Sequence, residues 1–235
     1  MNILGIDSSG PVASCAVMSG GRIVHSIALN HGLTHSEALM PAVDAAMRAS
    51  GLTCADIDAF AAVAGPGSFT GVRIGICTAK GLAHAAGKPC AAVDALEALA
   101  MNFYGFGGLV CPILDARRGQ VYCALFDASS GMPRRVAPDA AVALGELLAR
   151  LPEDRTVMFA GDGLPLHGPA IVERLGARAM LAPANLCDLR ADAACALAAA
   201  RPEAWMPAGE LQPVYLRAPQ AERERNARLN REANS

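Results

Sequence analysis

The sequence predicts an α/β fold with two lobes, built from a duplicated βββαβα unit. Short apolar strands alternate with amphipathic helical segments through the first half, a pattern typical of α/β proteins. A second copy of the opening begins near the middle of the chain, where residues 115–125 align without gaps on residues 7–17. Each copy places an aspartate, Asp7 or Asp115, at the end of an apolar strand that is followed by a turn and an alternating strand. This repetition suggests a duplicated βββαβα unit.

The first half is predicted to open as a β-meander, with Gly20 and Gly21 as a two-residue hairpin turn. Thr34 and Glu37 have the Thr-x-x-Glu spacing of a capping box, so a helix is expected to begin there and to end at Gly51. The strands are predicted over 3–7, 13–18, 22–29, 57–64 and 90–93, and the two further helices over 71–86 and 95–104.

The second half is less regular, and its predicted elements are helices over 139–150, 165–175 and 188–200 and a strand over 156–160. A glycine-rich stretch at 105–108 marks the predicted boundary between the lobes. We therefore expect an N-terminal lobe over 1–107, a C-terminal lobe over 108–217 and a charged, flexible tail over 218–235.

Composition predicts well-filled cores, because 53% of the 235 residues are hydrophobic and only 18% are charged. No basic leader precedes an apolar stretch, and no apolar run approaches the roughly 20 residues that cross a bilayer, so a cytoplasmic location is expected. The eight cysteines show no Cys-x-x-Cys spacing and are predicted to be reduced core residues. A net charge of −2 argues against a stand-alone RNA-binding protein.

A glycine-rich turn at 65–71 joins a buried strand to a helix. Gly65, Gly67 and Gly71 allow the backbone to approach another group closely, since they carry no Cβ atom. The turn lacks the lysine of a phosphate-binding loop, and Ser68 lies in Gly-Ser-Phe-Thr-Gly instead of Gly-x-Ser-x-Gly. A tight corner in which Ser68 caps the helix is the simplest interpretation, and a peptidase nucleophile is the weaker alternative.

Four ordered segments, at 3–9, 63–75, 113–122 and 213–217, resemble the TsaB (YeaZ) family of bacterial tRNA threonylcarbamoyladenosine biosynthesis. Members of this family are non-catalytic relatives of the TsaD/Kae1 enzymes. The resemblance implies the actin-like ATPase (ASKHA) fold, in which two strand-end aspartates face a cleft between the lobes. It also implies a scaffold that pairs with TsaD and TsaE, in a complex that transfers threonylcarbamoyl from an adenylate to adenosine 37 of tRNA.

Both turns that would hold phosphate in an actin-like ATPase are degenerate here. The usual Asp-x-Gly-x-Thr reads Asp7-Ser8-Ser9-Gly10-Pro11, so Ser9 replaces the glycine and Pro11 removes a backbone donor. In the second turn, which starts at Asp115, Arg117 stands where a second glycine would sit. We therefore expect no independent ATP hydrolysis and no cofactor. An independent kinase or ATPase of the same fold is the alternative, and strand-end aspartates that accept turn amides are the simplest role for Asp7 and Asp115.

No catalytic residue and no metal site are predicted. The catalytic relatives hold a metal through His-x-x-x-His on one helix face, and Ala95 and Leu99 occupy the matching positions in this chain. His31 and His35 have the same spacing, but Gly32 lies between them and only His35 falls securely on a predicted helix.

Two apolar stripes lie on the first two long helices, and the sequence leaves two roles open for them. They can pack on the sheet of their own chain, as amphipathic helices usually do. The family resemblance implies instead that they bind the matching helices of TsaD, or a second copy of this chain. The stripe residues are Leu39, Val43, Met47, Ile76, Ala79 and Ala83.

Overall fold

Two five-stranded mixed sheets form the framework of the chain, for which the computed structural model describes residues 1–30 and 34–217. The first sheet contains β1 (Asn2–Asp7), β2 (Ala13–Ser19), β3 (Arg22–Leu29), β4 (Ala59–Gly65) and β5 (Cys90–Asp94), in the order β3-β2-β1-β4-β5. The second contains β6 (Leu109–Asp115), β7 (Gln120–Asp127), β8 (Arg134–Ala143), β9 (Val157–Ala160) and β10 (Ala179–Leu181), in the order β8-β7-β6-β9-β10.

The second sheet repeats the topology of the first. In each sheet the first three strands in the chain are antiparallel neighbours, and the last two strands join in parallel. The helices between the strands complete the repeat: α1 (His35–Ser50), α2 (Phe69–Ala86), α3 (Ala95–Ala100), α4 (Leu144–Ala149), α5 (Leu164–Leu175) and α6 (Ala191–Ala200). The predicted two-lobed actin-like ATPase fold is thus confirmed.

Local signals placed most of the first half accurately, but the helix predicted over 95–104 is shorter, since α3 ends at Ala100 and a 3₁₀ turn at Met101–Phe103 follows. Thr34 is the N-cap of α1, and its backbone N–H donates to Oε2 of Glu37 at 3.1 Å. Gly51 ends the helix in the left-handed conformation, with φ of 66°. Gly20 and Gly21 have φ of 56° and 78° at the β2–β3 turn, which is the backbone that a two-residue hairpin requires.

The predicted helix over 139–150 was wrong in its first part. β8 continues to Ala143, and α4 covers only Leu144–Ala149. Alanine favours helices, but residues 140–143 pair with residues 120–123 of β7 and stay extended. Pairing between strands therefore overrides local propensity here. The three-residue strand β10 was not predicted, since it is too short to show a period.

One hydrophobic cluster spans both lobes beneath the cleft. It contains residues of the first sheet, of α3, of the second sheet and of α6. α6 packs on the first sheet although it comes late in the chain, and a Cβ atom at Gly5 would overlap the carbonyl oxygen of Ala191. The lobes are therefore joined by a shared core, and the boundary at residue 107 stays a prediction.

The six stripe residues are buried in the core of this chain. Their exposed fractions are 7% or less, and they pack with Leu4, Ile6 and Phe60 of the first sheet. This corrects the prediction that Leu39, Val43, Met47, Ile76, Ala79 and Ala83 lie on a free surface for a partner. A regular apolar period identifies the buried face of a helix, but it does not identify the surface that buries it.

All eight cysteines are free thiols, as predicted. Burial raises the pKa of Cys15 and of Cys195 to about 12, so these thiols stay protonated and behave as small apolar side chains. Cys77 is the exception to the predicted core role, because it lies exposed on α2.

Among the described residues, no helix has the length and apolar character needed to cross a membrane.

Candidate functional site

A cleft of about 540 Å³ lies between the lobes, at the ends of β1 and β6. The predicted turns that follow Asp7 and Asp115 meet there, together with the glycine-rich turn at the start of α2 and the C-terminal segment. The lining side chains and backbone come from Ser9, Gly10, Pro11, His35, Gly67, Ser68, Phe69, Leu114, Asp115, Ala116, Arg117, Arg118, Tyr122, Asp162, Tyr215 and Arg217. This cleft is the candidate site.

The first turn uses its own polar groups internally. Oδ1 of Asp7 accepts hydrogen bonds from the backbone N–H of Ser9 at 2.9 Å and from its hydroxyl at 2.7 Å. Oδ2 of Asp7 is buried without a hydrogen-bond partner. Burial raises the pKa of Asp7, and the hydrogen bonds from Ser9 and the charge of His35 oppose that rise. The Ser9 amide, which would face a phosphate in an actin-like ATPase, is thus already occupied.

The second turn is organised in the same way around Asp115. Its Oδ1 accepts from the backbone N–H of Arg117 at 2.8 Å, and its Oδ2 lies 3.1 Å from Nη1 of the same arginine. The backbone N–H of Asp115 donates to Oδ1 of Asp162 at 2.9 Å. Burial, and to a lesser extent the charge of Asp115, raises the pKa of Asp162. The turn-aspartate role predicted for Asp7 and Asp115 accounts for these contacts.

Sequence reasoning did not assign Asp162 to the site. It follows β9 in the second lobe. The carboxyl ends of neighbouring parallel strands meet at one edge of a sheet, so the pairing of β6 with β9 brings Asp162 beside Asp115. That pairing is not visible in local sequence.

The glycine-rich turn approaches the chain itself. A Cβ atom at Gly67 would lie 2.5 Å from the carbonyl oxygen of Ser9, and one at Gly71 would overlap the carbonyl oxygen of Ser8. Gly65 has φ of 118° and faces the backbone of Val214, whose N–H donates to the carbonyl of Ala64 at 2.7 Å. The glycines therefore allow two other segments to pack against the start of α2.

Ser68 has the capping role. Its Oγ accepts from the backbone N–H of Gly71 at 3.3 Å, and its own N–H donates to the carbonyl of Ser9 at 2.7 Å. The ring Nε2 of His35 lies 2.8 Å from the carbonyl oxygen of Gly10. These contacts are structural, and they give no support to a serine nucleophile activated by histidine.

The positions that hold metal in the catalytic relatives are filled with core side chains. Ala95 and Leu99 have no exposed surface and belong to the cluster that joins the lobes. Neither side chain has a donor atom. Within residues 1–30 and 34–217, no three His, Cys, Asp or Glu side chains are grouped to hold a metal ion. His31 of the alternative histidine pair lies outside the described residues.

The C-terminal segment adds an aromatic and cationic group to the cleft that sequence reasoning missed. The rings of Phe69 and Tyr215 stack with centroids 4.9 Å apart, and Cζ of Arg73 lies 4.0 Å from the Phe69 centroid. Nε of Arg73 donates to the Tyr215 hydroxyl at 2.8 Å. Nη1 of Arg217 donates to the carbonyl of Ala116 at 2.9 Å. The segment thereby connects the start of α2 with the second turn.

Comparison with known proteins identifies the family. The sequence profile of TsaD, described as tRNA N6-adenosine threonylcarbamoyltransferase, matches residues 26–181, which is more than half of the chain. The tRNA threonylcarbamoyladenosine biosynthesis protein TsaB of Bacillus subtilis is 38% identical over 185 residues, covering 78% of this chain and 81% of that protein. The chain belongs to the TsaB family. A solved structure of YeaZ from Pseudomonas aeruginosa has a TM-score of 0.76 at 30% identity, covering 92% of this chain and 99% of that one.

The chain also resembles threonylcarbamoyltransferases, over a smaller part of their length. The tRNA N6-adenosine threonylcarbamoyltransferase of Sphingopyxis alaskensis is 34% identical over 197 residues, covering 74% of this chain and 54% of the enzyme. The chain thus spans about half of that transferase. In this chain the backbone amides of Ser9 and Arg117 are bonded within their own turns, and carboxylates line the base of the cleft. Such a cleft is better suited to structural contacts than to binding a polyphosphate.

The buried carboxylate of Asp7 predicts a stabilising substitution. Its raised pKa means that the native chain binds this proton more tightly than the unfolded chain, so Asp7 contributes less stability as pH rises from about 3.9 through the folded pKa. We expect Asp7→Asn, which keeps the acceptor for Ser9 without a charge, to melt higher than the parent at pH 7.5. The difference should shrink as pH falls below about 4. Calorimetric melts across pH measure it.

A matched control has the opposite sign. The exposed carboxylate of Asp56 accepts from the hydroxyl and N–H of Thr53, and these bonds lower its pKa. Asp56→Asn should therefore lower the melting temperature at neutral pH, with a difference that also closes in acid. A less stable Asp7→Asn at pH 7.5 would show that the charged form of Asp7 has a stabilising partner.

Proposed function

We propose that this chain is a non-catalytic subunit of the system that places threonylcarbamoyl on adenosine 37 of tRNA, and that it acts as a scaffold for a TsaD-type transferase. The observation that carries the proposal is the occupied cleft. The Ser9 amide is bonded within its own turn, and Ala95 and Leu99 fill the positions of the metal ligands. Membership of the TsaB family supplies the pathway, since the curated TsaB relatives are named for it.

The outer face of α1 and α2 is the proposed surface for the transferase. The inner face of both helices is used by the first sheet, so a partner must bind the opposite side. That side exposes small or flexible apolar residues, which permit close approach of another helix. They are Met40, Ala45, Ala49, Cys77, Gly81 and Ala85.

Four further elements belong to the proposal. TsaE is proposed to join the pair as the third protein, and tRNA to be bound in the context of the complex. In the absence of the transferase, the outer face of α1 and α2 offers the same surface to a second copy, which gives a homodimer. The cytoplasm is the proposed compartment, because the tRNA substrate is there.

The substitution Ala45→Asp tests the proposal. Ala45 is exposed on α1, so a carboxylate there is solvated in the free chain and is desolvated only when a partner covers it. We expect the affinity for the TsaD-type protein of the same organism to fall by about a hundredfold, which corresponds to about 2.8 kcal/mol. Calorimetric titration of the two purified proteins measures it, and circular dichroism verifies that the variant is folded.

Ala170→Asp is the matched control, because Ala170 is exposed on α5 in the second lobe. It should bind the transferase like the parent. Parent-like binding by Ala45→Asp would remove the outer face from the proposal, and the absence of any complex with the parent chain would overturn the scaffold function itself.

A further inference from the structure

Positive charge is concentrated at the mouth of the cleft, and negative charge at its base. Arg73 and Arg118 are exposed, the side chain of Arg117 is 87% exposed, and Arg217 is half-buried. We call these four side chains the arginine rim. The carboxyl groups of Asp115 and Asp162 line the base, and Asp7 is completely buried behind the first turn. The protein as a whole carries a net charge of −2, so the arginine rim is a positive patch on a slightly negative protein.

The arginine rim draws on three separate parts of the chain. Arg73 comes from α2, Arg117 and Arg118 from the β6–β7 turn, and Arg217 from the C-terminal segment. The contacts of Tyr215 with Arg73, and of Arg217 with Ala116, hold these parts together. The sequence separation of these parts means that the fold, and not a local run of basic residues, assembles the rim.

Two of the four arginines occupy a backbone conformation that disfavours them. Arg117 and Arg118 have φ of 64° and 56°, where glycine or asparagine is the usual residue. Each such residue costs on the order of 1 kcal/mol or more. Arginine at both positions is thus placed against backbone preference, on a turn of the second lobe that lines the cleft.

Aromatic rings lie beside these cations. Tyr215, Phe69 and Tyr122 line the same cleft, and Phe69 and Tyr215 are already stacked. Guanidinium groups bind phosphodiesters through paired N–H donors, while aromatic rings stack with unpaired bases. Together they match the chemistry of an RNA segment with exposed bases.

We propose that the arginine rim binds the RNA backbone, with a base seated on the aromatic residues at the mouth of the cleft. This inference rests on the proposed function, because that function is the reason for choosing RNA among the possible polyanions. A nucleoside triphosphate fits less well. Its phosphates would have to reach the base of the cleft, where Asp115 and Asp162 repel them and the Ser9 amide is occupied. An RNA strand needs contacts only at the mouth.

Within the complex the arginine rim supplies only a share of the RNA contacts, and low ionic strength makes that share measurable in the isolated chain, because phosphate contacts strengthen as salt falls. The test measures binding of a fluorescently labelled, unmodified tRNA transcript to the full chain by anisotropy, over a series of salt concentrations that starts at low salt. The rim variant is Arg117→Asn with Arg118→Asn, because asparagine tolerates the left-handed backbone. We expect its affinity at low salt to fall about tenfold, and the slope of log affinity against log salt to become shallower by about 1.4–1.8, because two cations are removed. Its melting temperature should match that of the parent.

The control variant, Arg150→Gln with Arg174→Gln, removes the same charge from exposed positions outside the cleft, one directly after α4 and one on α5. It should keep the affinity of the parent, and excess ATP should not displace the RNA. Equal losses in both variants, no RNA binding by the parent at low salt, or displacement by ATP would each overturn the proposal. None of these results would alter binding of the transferase at the outer face of α1 and α2, so the two proposals fail separately.

Discussion

Val43→Asp is expected to unfold the chain at temperatures where the parent is stable. Val43 is 2% exposed and packs between α1 and the first sheet. The substitution loses about 1.5–3 kcal/mol of apolar burial and adds the cost of burying a carboxylate without a partner, which is several kcal/mol more. The total is a large part of the roughly 5–15 kcal/mol that stabilises a domain. We expect a fall in melting temperature of about 10 °C or more, measured by circular dichroism.

Ala45→Asp provides the matched control two residues away. Ala45 is exposed on the same helix, and surface substitutions usually change stability by no more than about 0.5 kcal/mol. Its melting temperature should stay close to that of the parent. If Val43→Asp also melted like the parent, the apolar stripe would lie on a free surface, and the role first considered for it in binding a partner would return.

The contrast between these two residues shows what a helical period can and cannot predict. The spacing of Leu39, Val43 and Met47 defines one face of α1, and the structure confirms that face. The role of the face depends on a sheet whose strands come from residues 2–94. No residue within α1 records that contact, so the stripe was ambiguous until the tertiary structure was known.

Local chemistry predicted the parts of the fold that are decided locally. The capping box at Thr34, the glycine at position 51 and the hairpin glycines at 20 and 21 all act within a few residues. The helix predicted from residue 139 failed because β7 holds residues 140–143 extended, and β7 lies about twenty residues earlier in the chain.

The candidate site divides in the same way. Asp7 and Asp115 were predictable, because each ends an apolar strand and the two copies of the unit are related by symmetry. Asp162, Tyr215 and Arg217 reach the cleft only through strand pairing and through the return of the C-terminal segment to the first lobe. Sequence reasoning used residues 213–217 to recognise the family, without a physical role for them.

Gly71→Ala is expected to destabilise the chain although alanine is the better helix former. A Cβ atom at Gly71 would overlap the carbonyl oxygen of Ser8, which is backbone and cannot rotate away. The start of α2 and the Asp7-Ser8-Ser9 turn would have to separate. Overpacking of this kind costs about 1–3 kcal/mol, and more where the backbone must shift. We expect the melting temperature to fall by about 3–10 °C, measured by calorimetry at neutral pH.

Gly81→Ala makes the same change further along α2 and should have the opposite effect. Apart from its chain neighbours and the nearby backbone of α2 itself, no described heavy atom lies within 4 Å of a Cβ atom at Gly81. Alanine there should therefore stabilise the helix by about 0.5–1 kcal/mol. The two substitutions change helix propensity in the same way, so opposite signs of the stability change would show that the close contact with Ser8 causes the loss at Gly71. If Gly71→Ala were stabilising too, the glycine-rich turn would face open space instead of Ser8. The start of α2 would then be free to receive a ligand, and the occupied cleft that supports a non-catalytic role would no longer hold.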